Sequence, residues 1–576
     1  MDRFVTSRHL SWFQRRDVLY LYHDLYGFLL EMSADLKSLV DFFGDAQTAE
    51  EAAQAYSELW NRDQIGQFMG VFLQHKVLVP ENAKEIDGLA DVVPIKGPWI
   101  LAHRLDDGTI QTVTSRGLGS EPWAKPVLEK WDAWASELWR SIDGERPLRR
   151  LAMAMTEAYD GDLQEDLQHA QELIAAWTHS KRQLTRTLPA PRSQMQRVPP
   201  YASSTMPYAP YGYTGLAYDD SDGGPQSRDL KTYHQQTIQD AEAQFEELET
   251  TLSHLLSDPH PALNNRSYGQ KFAGVALSHG WLGAGRPTPA DGWQVAEVGG
   301  GTGRFAAAMV AELAKELSDL HYTVVDLSPA LHAAQTQRLS DAGLLGPGLP
   351  AATLIGDAQQ LPFGDAAIDF LVSNEVIADL PMGMITRASI AAGQVDGESD
   401  ATALEIFRRY ALSAERAPEP VPIQVGATRF VEEIARVLRP GGTAVVTEFG
   451  DEKQFPIEST HLDHGEWSVH FGHLAQVAEK NGLRASLVPV PELISLDPSV
   501  WVLASNRTQF RNLRYLLRSV GCDLPKRALT PEQFSVACGG SLRADRLEGL
   551  QFRPIGERVM GIVPSEFKAL VLQKAG

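Results

Sequence analysis

Apolar residues are spaced in two ways along this chain, and the change from one to the other marks its elements. Residues 17–32 are two apolar runs around a turn near His23-Asp24 and Gly27, which predicts a hairpin. Leu36, Leu39, Val40 and Phe43 then fall on one helical face. Thr48-Ala-Glu-Glu51 has the spacing of a capping box and opens a second helix. Gln64–Val79 predicts a third helix running into a short strand, so the whole is a winged-helix-like unit. Ile100–Val113 reads as a second hairpin with Asp107-Gly108 at its turn. From Glu121 to about Leu188 the pattern is helical, and Trp123, Trp131, Trp134 and Trp139 are spaced as core or subunit-interface residues.

Periodicity stops at 189–229, where Pro, Ser, Gly and Asp alternate with Tyr201, Tyr208, Tyr211, Tyr213 and Tyr218. A connector and a lid folding over a substrate both suit this composition. Asp229–Leu256 reads as a long polar helix and Asn265–Leu277 as another. From Gln294 strand-like and helix-like segments alternate, which predicts a parallel sheet with helices on both faces. Strands are expected at Tyr322–Asp326, before Gly356-Asp357-Ala358, at Ala367–Glu375 and at Thr443–Thr447, the last after a helix and an Arg439-Pro-Gly-Gly442 turn. Ala485–Val490 is a sixth strand and Phe567–Gln573 the last. Between them, Gln509–Val520 is helical, and about 505–565 forms an appendage on the acceptor side.

The chain is organised around Val295-Ala-Glu-Val-Gly-Gly-Gly-Thr-Gly-Arg-Phe305, a strand, a glycine turn and a helix start. Such a turn lets a ligand lie against bare backbone at a helix N-terminus. The spacing is Glu297-x-Gly299-x-Gly301-x-Gly303, unlike the Gly-x-Gly-x-x-Gly of dinucleotide folds, and Arg304-Phe305 stands where a phosphate-binding loop needs Lys-Ser/Thr. Carboxylates at the ends of successive parallel strands converge on one crevice, which brings Asp326 and Asp357 to this loop.

Composition narrows the partners. The net charge of −22 argues against phosphate-backbone binding, so no nucleic-acid partner is expected. Two cysteines cannot form a disulfide framework, which suggests a reducing, cytoplasmic setting. Met1-Asp-Arg-Phe does not start like a secretory signal, and no apolar run approaches the roughly 18 residues of a membrane span.

The glycine loop and the ordered motifs after it resemble class I S-adenosylmethionine methyltransferases. The resemblance implies a Rossmann-like α/β domain, its parallel sheet closed by an antiparallel last strand, with S-adenosyl-L-methionine as cofactor. Glu297, Gly299, Gly301, Gly303, Asp326, Leu327, Asp357, Ala358 and Asn374 would bind it, with Asp326 on the ribose and Asp357 on the adenine. Glu375, at the end of the fourth strand, is the first candidate for a base or for a clamp on a cationic acceptor. His461 and His464 are further catalytic candidates, from a stretch that also holds His470 and His473. Metal-ligand spacings such as His-Glu-x-x-His are absent and methyltransferases of this class do not generally need a metal, so none is assigned. Tyr268 and Tyr213 are taken as substrate-side residues.

Two narrower resemblances bear on the acceptor. Leu-Tyr-x-x-x-x-Gly-Phe-Leu in the first hairpin, Thr-x-x-Glu and the final Phe-Leu-x-x-Lys-Val-Leu loosely resemble PqqD-like peptide-recognition domains. That implies a leader peptide adding a strand at residues 17–32. Ser373–Pro381 and Met560–Leu572 partly resemble the MidA family, whose members include a protein arginine methyltransferase, and this resemblance implies that Asn374, Glu375, Asp379 and Pro381 line the substrate side. Together they imply four parts. Residues 1–92 form a winged-helix-like recognition or dimerisation domain, 93–188 a hairpin and helical connector, 189–229 a loop or lid, and 230–576 the methyltransferase domain. The expected activity is methylation of a peptide or protein, in ribosomal natural-product maturation. Two alternatives stay open. One is a small-molecule O- or N-methyltransferase that uses its first domain to form a homodimer. The other is a MidA-like arginine methyltransferase or a non-catalytic assembly factor.

Overall fold

Three polar side chains start the first three helices. Ser33, Thr48 and Asn61 each accept a backbone N–H three residues on, and Glu51 and Gln64 return the bond to complete two capping boxes. These caps open α1 (Ala34–Phe42), α2 (Ala49–Ala55) and α3 (Arg62–Gln74). The computed structural model describes residues 2–15, 18–97, 100–114, 126–195, 251–283, 285–461, 464–505, 507–539 and 546–576. Two compact units form: residues 1–224 with 505–524 and 535–551, and residues 225–504 with 525–534 and 552–576.

In the first unit β1 (Phe4–Thr6) pairs with β5 (Leu78–Pro80), and β2 (Leu10–Arg15), β3 (Val18–His23) and β4 (Leu29–Met32) form an antiparallel sheet in the order 2-3-4. The expected turn joins β3 to β4, with the Gly27 N–H donating to the His23 carbonyl at 2.8 Å. The strand-paired β2 ahead of the hairpin is a finding the apolar runs of 17–32 did not announce. Leu21 and Met32 pack with α1–α3, while Tyr22 and Leu29 pack into a second core, so the sheet buries both faces.

That second core is formed by β6 (Leu101–Arg104), β7 (Ile110–Thr114), β8 (Val127–Lys130), α4 (Ala133–Ser141), α5 (Leu148–Tyr159) and α6 (Leu163–Thr178). Trp131, Trp139 and Trp177 pack at its centre in tilted and edge-on contacts, with ring centroids 4.7–5.6 Å apart. The all-helical reading of 121–188 is corrected here. β8 pairs with β7, and Thr185–Leu188 pairs with Val93–Lys96, because cross-strand partners distant in sequence override local helical spacing. Trp123 lies outside the described residues. The appendage expected over 505–565 divides: helix Arg507–Arg518 packs on β7 and Leu547–Glu548 pairs with β6, whereas Phe552–Pro554 pairs with Trp501–Leu503 in the second unit.

The second unit is built on a seven-strand path. Its members are β9 (Trp293–Val298), β10 (Leu320–Asp326), β11 (Ala351–Ile355), β12 (Ile368–Asn374), β13 (Leu438–Asp451), β16 (Leu483–Pro489) and β17 (Phe567–Lys574). Their order is 11-10-9-12-13-17-16, and only β17 runs against its neighbours. Ile368 pairs with Leu438 and Phe370 with Thr443, so the Arg-Pro-Gly-Gly segment is looped out of the ladder. The expected methyltransferase topology, with its antiparallel last strand, is the one observed.

Helices cover both faces of this sheet, as the near-continuous apolar strands require. They include α8 (Tyr268–Ser278), α9 (Arg304–Leu313) and α10 (Pro329–Asp341), and on the opposite side α11 (Val425–Val437) and α12 (Phe471–Lys480). A hairpin of β14 (Glu458–His461) and β15 (His464–Trp467) precedes α12. The long helix expected over 229–256 does not continue to its end. Thr251 is extended and caps a single turn, α7 (Leu252–Leu255); residues 196–250 lie outside the described part. No helix among the described residues is long and apolar enough to cross a membrane.

Candidate active site

The loop after β9 is held without side chains of its own. The Gly299 N–H donates to the Val325 carbonyl at 2.8 Å, and Gly303, with φ +78°, starts α9 with no side-chain cap. The first-turn N–H groups of α9 therefore face the ligand crevice with the positive end of the helix dipole. At Gly299, φ is +76° and an added Cβ would lie 2.2 Å from Val376 Cγ2. Neither the conformation nor the space admits another residue.

Asp326 ends β10 at the loop. Its Oδ1 accepts from the Ser328 N–H at 2.9 Å, and its Oδ2 accepts from Gln335 Nε2 at 2.8 Å. Leu327 follows it, half-buried. Asp357 follows β11 and folds its carboxylate back on the Gln359 N–H at 2.9 Å; Ala358 beside it is buried. The segment after it is clamped from α11. Glu433 accepts from the Leu361 N–H at 2.8 Å, and Arg436 donates to the carbonyls of Leu361 and Phe363 at 3.0 and 2.7 Å. Arg436 in turn holds the Glu433 carboxyl below its ordinary range.

Glu297 shares the loop motif, but its carboxyl lies in the core, 2% exposed. There it accepts from the Tyr322 hydroxyl at 2.7 Å. Burial pushes its pKa up to about 8, opposed by the bond from Tyr322 and reinforced by the charge of Asp326. The structure thus gives Glu297 a buried partner beneath the loop.

A second polar group occupies the ends of β12 and β13. The Thr447 hydroxyl donates to Asn374 Oδ1 at 3.0 Å and is hydrogen-bonded to the hydroxyl of Tyr268. Tyr268 is 1% exposed against Phe272 and Phe305, so only its hydroxyl end belongs to the site. Burial, and then the charge of Glu375, raise its pKa well above the phenol value. Glu375 has φ +54°, a conformation that costs a non-glycine residue about 1–3 kcal/mol and is common at functional sites. Its N–H donates to the Thr447 carbonyl, and its Oε1 accepts from the Leu252 N–H, both at 2.9 Å.

Glu448, the residue after Thr447, was not anticipated. It is buried, accepts from the N–H groups of Ala378 and Phe449 at 3.1 and 3.0 Å, and has its pKa raised by burial and by Glu375. It thereby ties β13 to the turn at Ile377–Asp379, where the candidate Asp379 is half-buried. The apolar-polar break at Thr447-Glu448, in an otherwise apolar strand, was its signal in the sequence.

The histidine stretch separates into two pairs. His470 caps α12, stacks on His473 at 3.8 Å between centroids, and His473 Nε2 lies 3.1 Å from the Ser413 carbonyl. Burial lowers both pKa values, that of His473 to about 4, so these two are capping and packing residues. His461 and His464 face each other in register across the β14–β15 hairpin, and β15 packs on the Ile377–Asp379 turn. Their side chains, like Tyr213, lie outside the described part. Among the described residues, no group of three or more His, Cys, Asp or Glu is gathered as a metal would require.

An adenosyl sulfonium suits these residues. Its sugar would meet the Asp326 carboxylate, its adenine the Asp357 segment, and the glycine backbone at 299–301 and 303 lets the loop turn tightly against Val376, where a Cβ at Gly299 would not fit.

Residues 274–461 match a family model described as "Putative S-adenosyl-L-methionine-dependent methyltransferase". Among solved structures, the chain is similar to a Burkholderia thailandensis protein bound to S-adenosyl-homocysteine, at 18% identity over 62% of this chain and 95% of that one, with a TM-score of 0.31. It is also similar to a SAM-dependent methyltransferase from Aquifex aeolicus, at 14% identity over 41% and 94% with a TM-score of 0.24. The [4+2]-cyclase SpnF matches at 17% identity over 53% and 81%, with a TM-score of 0.25. No curated protein matches the chain.

Proposed function

With S-adenosylmethionine as its cofactor and methyl transfer as its chemistry, this enzyme needs an acceptor, and we propose that the acceptor is a peptide or protein. The observation that carries this reading is β2. It is one of the two terminal strands, with β4 the other, of a sheet whose two faces pack into cores, and we take its outer edge as the recognition surface. Strand addition there uses main-chain hydrogen bonds, which a peptide supplies and a small molecule does not. The reading extends to maturation of a ribosomally made precursor, whose leader docks on the β2 edge beside the 17–32 hairpin while its core is methylated.

When bound, the cofactor supplies an electrophilic methyl carbon on a sulfonium. Glu375 orients the acceptor N–H or O–H and takes its proton as the new bond forms. Asn374, Thr447 and Tyr268 fix the end of β12 behind it, and Glu448 fixes the turn bearing Asp379. His461 and His464 lie on the hairpin next to that turn and serve the acceptor side.

The test is to incubate the full chain with methyl-tritiated S-adenosylmethionine and an extract of its source cells. The expected result is label in peptide or protein that protease digestion releases. Label confined to protease-resistant small molecules would overturn the reading in favour of small-molecule methylation. Label recovered as methylarginine would place the acceptor with protein arginine methylation.

A further inference from the structure

One fully buried amide joins the two halves of the cofactor cradle. Gln335 lies on α10 in the buried stripe Leu331, Gln335, Leu339, where helical spacing calls for an apolar residue. Its Nε2 donates to the Gly301 carbonyl at 2.9 Å and to Asp326 Oδ2 at 2.8 Å. Two acceptors on one nitrogen fix which end of the amide is which. Its Oε1 is buried without a partner among the described residues. The backbone above leaves it little freedom: a Cβ on Gly303 would lie 3.0 Å from Gln335 Cα, and one on Gly300 3.2 Å from its Nε2.

A polar side chain with 0% exposure in an apolar stripe is costly unless its bonds do something an apolar residue cannot. Here the loop follows β9 and the carboxylate ends β10, and the Gln335 amide bonds to both. Leucine at this position would pack equally well against Leu331 and Leu339, yet would leave the Gly301 carbonyl and one carboxylate oxygen without this donor. We propose that Gln335 is a positioning residue of the cofactor site, setting the glycine loop at the correct distance from the carboxylate that receives the cofactor's sugar. This rests on the reading of Asp326 as that carboxylate.

The test is calorimetric titration of the full chain with S-adenosylmethionine, which does not need the acceptor. Gln335→Met keeps the volume and loses both bonds, and its Kd is expected to rise by roughly tenfold at every pH, the scale of a hydrogen bond to a charged group. Gln335→Glu places a second carboxylate beside Asp326. Its Kd is expected to rise more at about pH 8. As the pH falls toward about 5.5 it should approach that of Gln335→Met, or improve on it, because the introduced carboxyl, once protonated, can donate again. Glu297, Tyr322, Arg338 and Arg304 are the other ionisable groups around the loop, and they are common to all the proteins. The difference from the unmodified chain at each pH therefore isolates this one position. A Gln335→Met Kd within about twofold of the unmodified value overturns the proposal, as does a Gln335→Glu defect that ignores pH. Asp326→Ala separates the two readings. If it binds normally, the sugar assignment fails. If it loses affinity while Gln335→Met does not, only the positioning role fails.

Discussion

The proposed cofactor side and the proposed acceptor side of the second unit are built differently. On the first, a glycine loop and two strand-end acids lie within about sixty residues, and each element follows directly from the last. On the second, Glu375 depends on Leu252, Thr447 and the hydroxyl of Tyr268, which come from three distant segments. One side is specified by local backbone chemistry, the other by tertiary assembly. Cofactor binding should therefore fail through single backbone changes, and transfer through changes in a carboxylate network.

The largest expected effect is at Gly299. Gly299→Ala should lower S-adenosylmethionine affinity by roughly a hundredfold or more, since it both strains φ and displaces Val376 from the loop. Calorimetry checks it, and near-normal binding would remove the loop from the site. Next is Glu375→Gln, expected to reduce turnover by roughly a hundredfold with cofactor affinity changed by less than about threefold. Equal losses in both would mean that the two sides are not separable.

A smaller effect concerns pH. A carboxyl ordinarily near 4.5 that is raised to about 8 in the fold, as at Glu297, stabilises the fold below about pH 4.5 relative to higher pH. That contribution is lost as the pH rises toward 8, and Glu448 acts in the same direction. Glu297→Gln should flatten the fall in Tm between about pH 5 and 8 by several degrees, each kcal/mol being worth about 2–4 °C in a domain of this size. An unchanged slope in differential scanning calorimetry would show that Glu297 titrates normally. Smallest is His473→Ala, expected to lower stability by about 1 kcal/mol through the lost contact with Ser413, with turnover within about twofold. A large loss of turnover would return this histidine to the chemistry.

The same contrast explains what could be read from the chain. The parallel strands, the loop and the acids at 326 and 357 were legible because each is a local pattern with a geometric consequence. So was Glu375, which sits where a strand must end. Glu448 and Gln335 were not assigned, because the Thr447-Glu448 break and a glutamine in a polar helix do not say what a side chain faces, and only the fold shows it. Glu297 was read with the loop although alternation along β9 turns it toward Tyr322. Strands β2 and β8 were missed because their pairing, not their own residues, makes them strands. The histidine stretch looked like one feature and is two, since His470 and His473 belong to the start of α12.

The close approach of Val376 to Gly299, where an added Cβ would lie 2.2 Å from Val376 Cγ2, has a consequence for kinetics. The residue bearing the loop's first turn touches the residue after Glu375, so neither segment can shift without the other. Occupancy of one subsite should then change affinity at the other, and by thermodynamic reciprocity the two factors are equal. The enzyme's two substrates should bind interdependently, each changing the hold on the other to the same extent whichever arrives first.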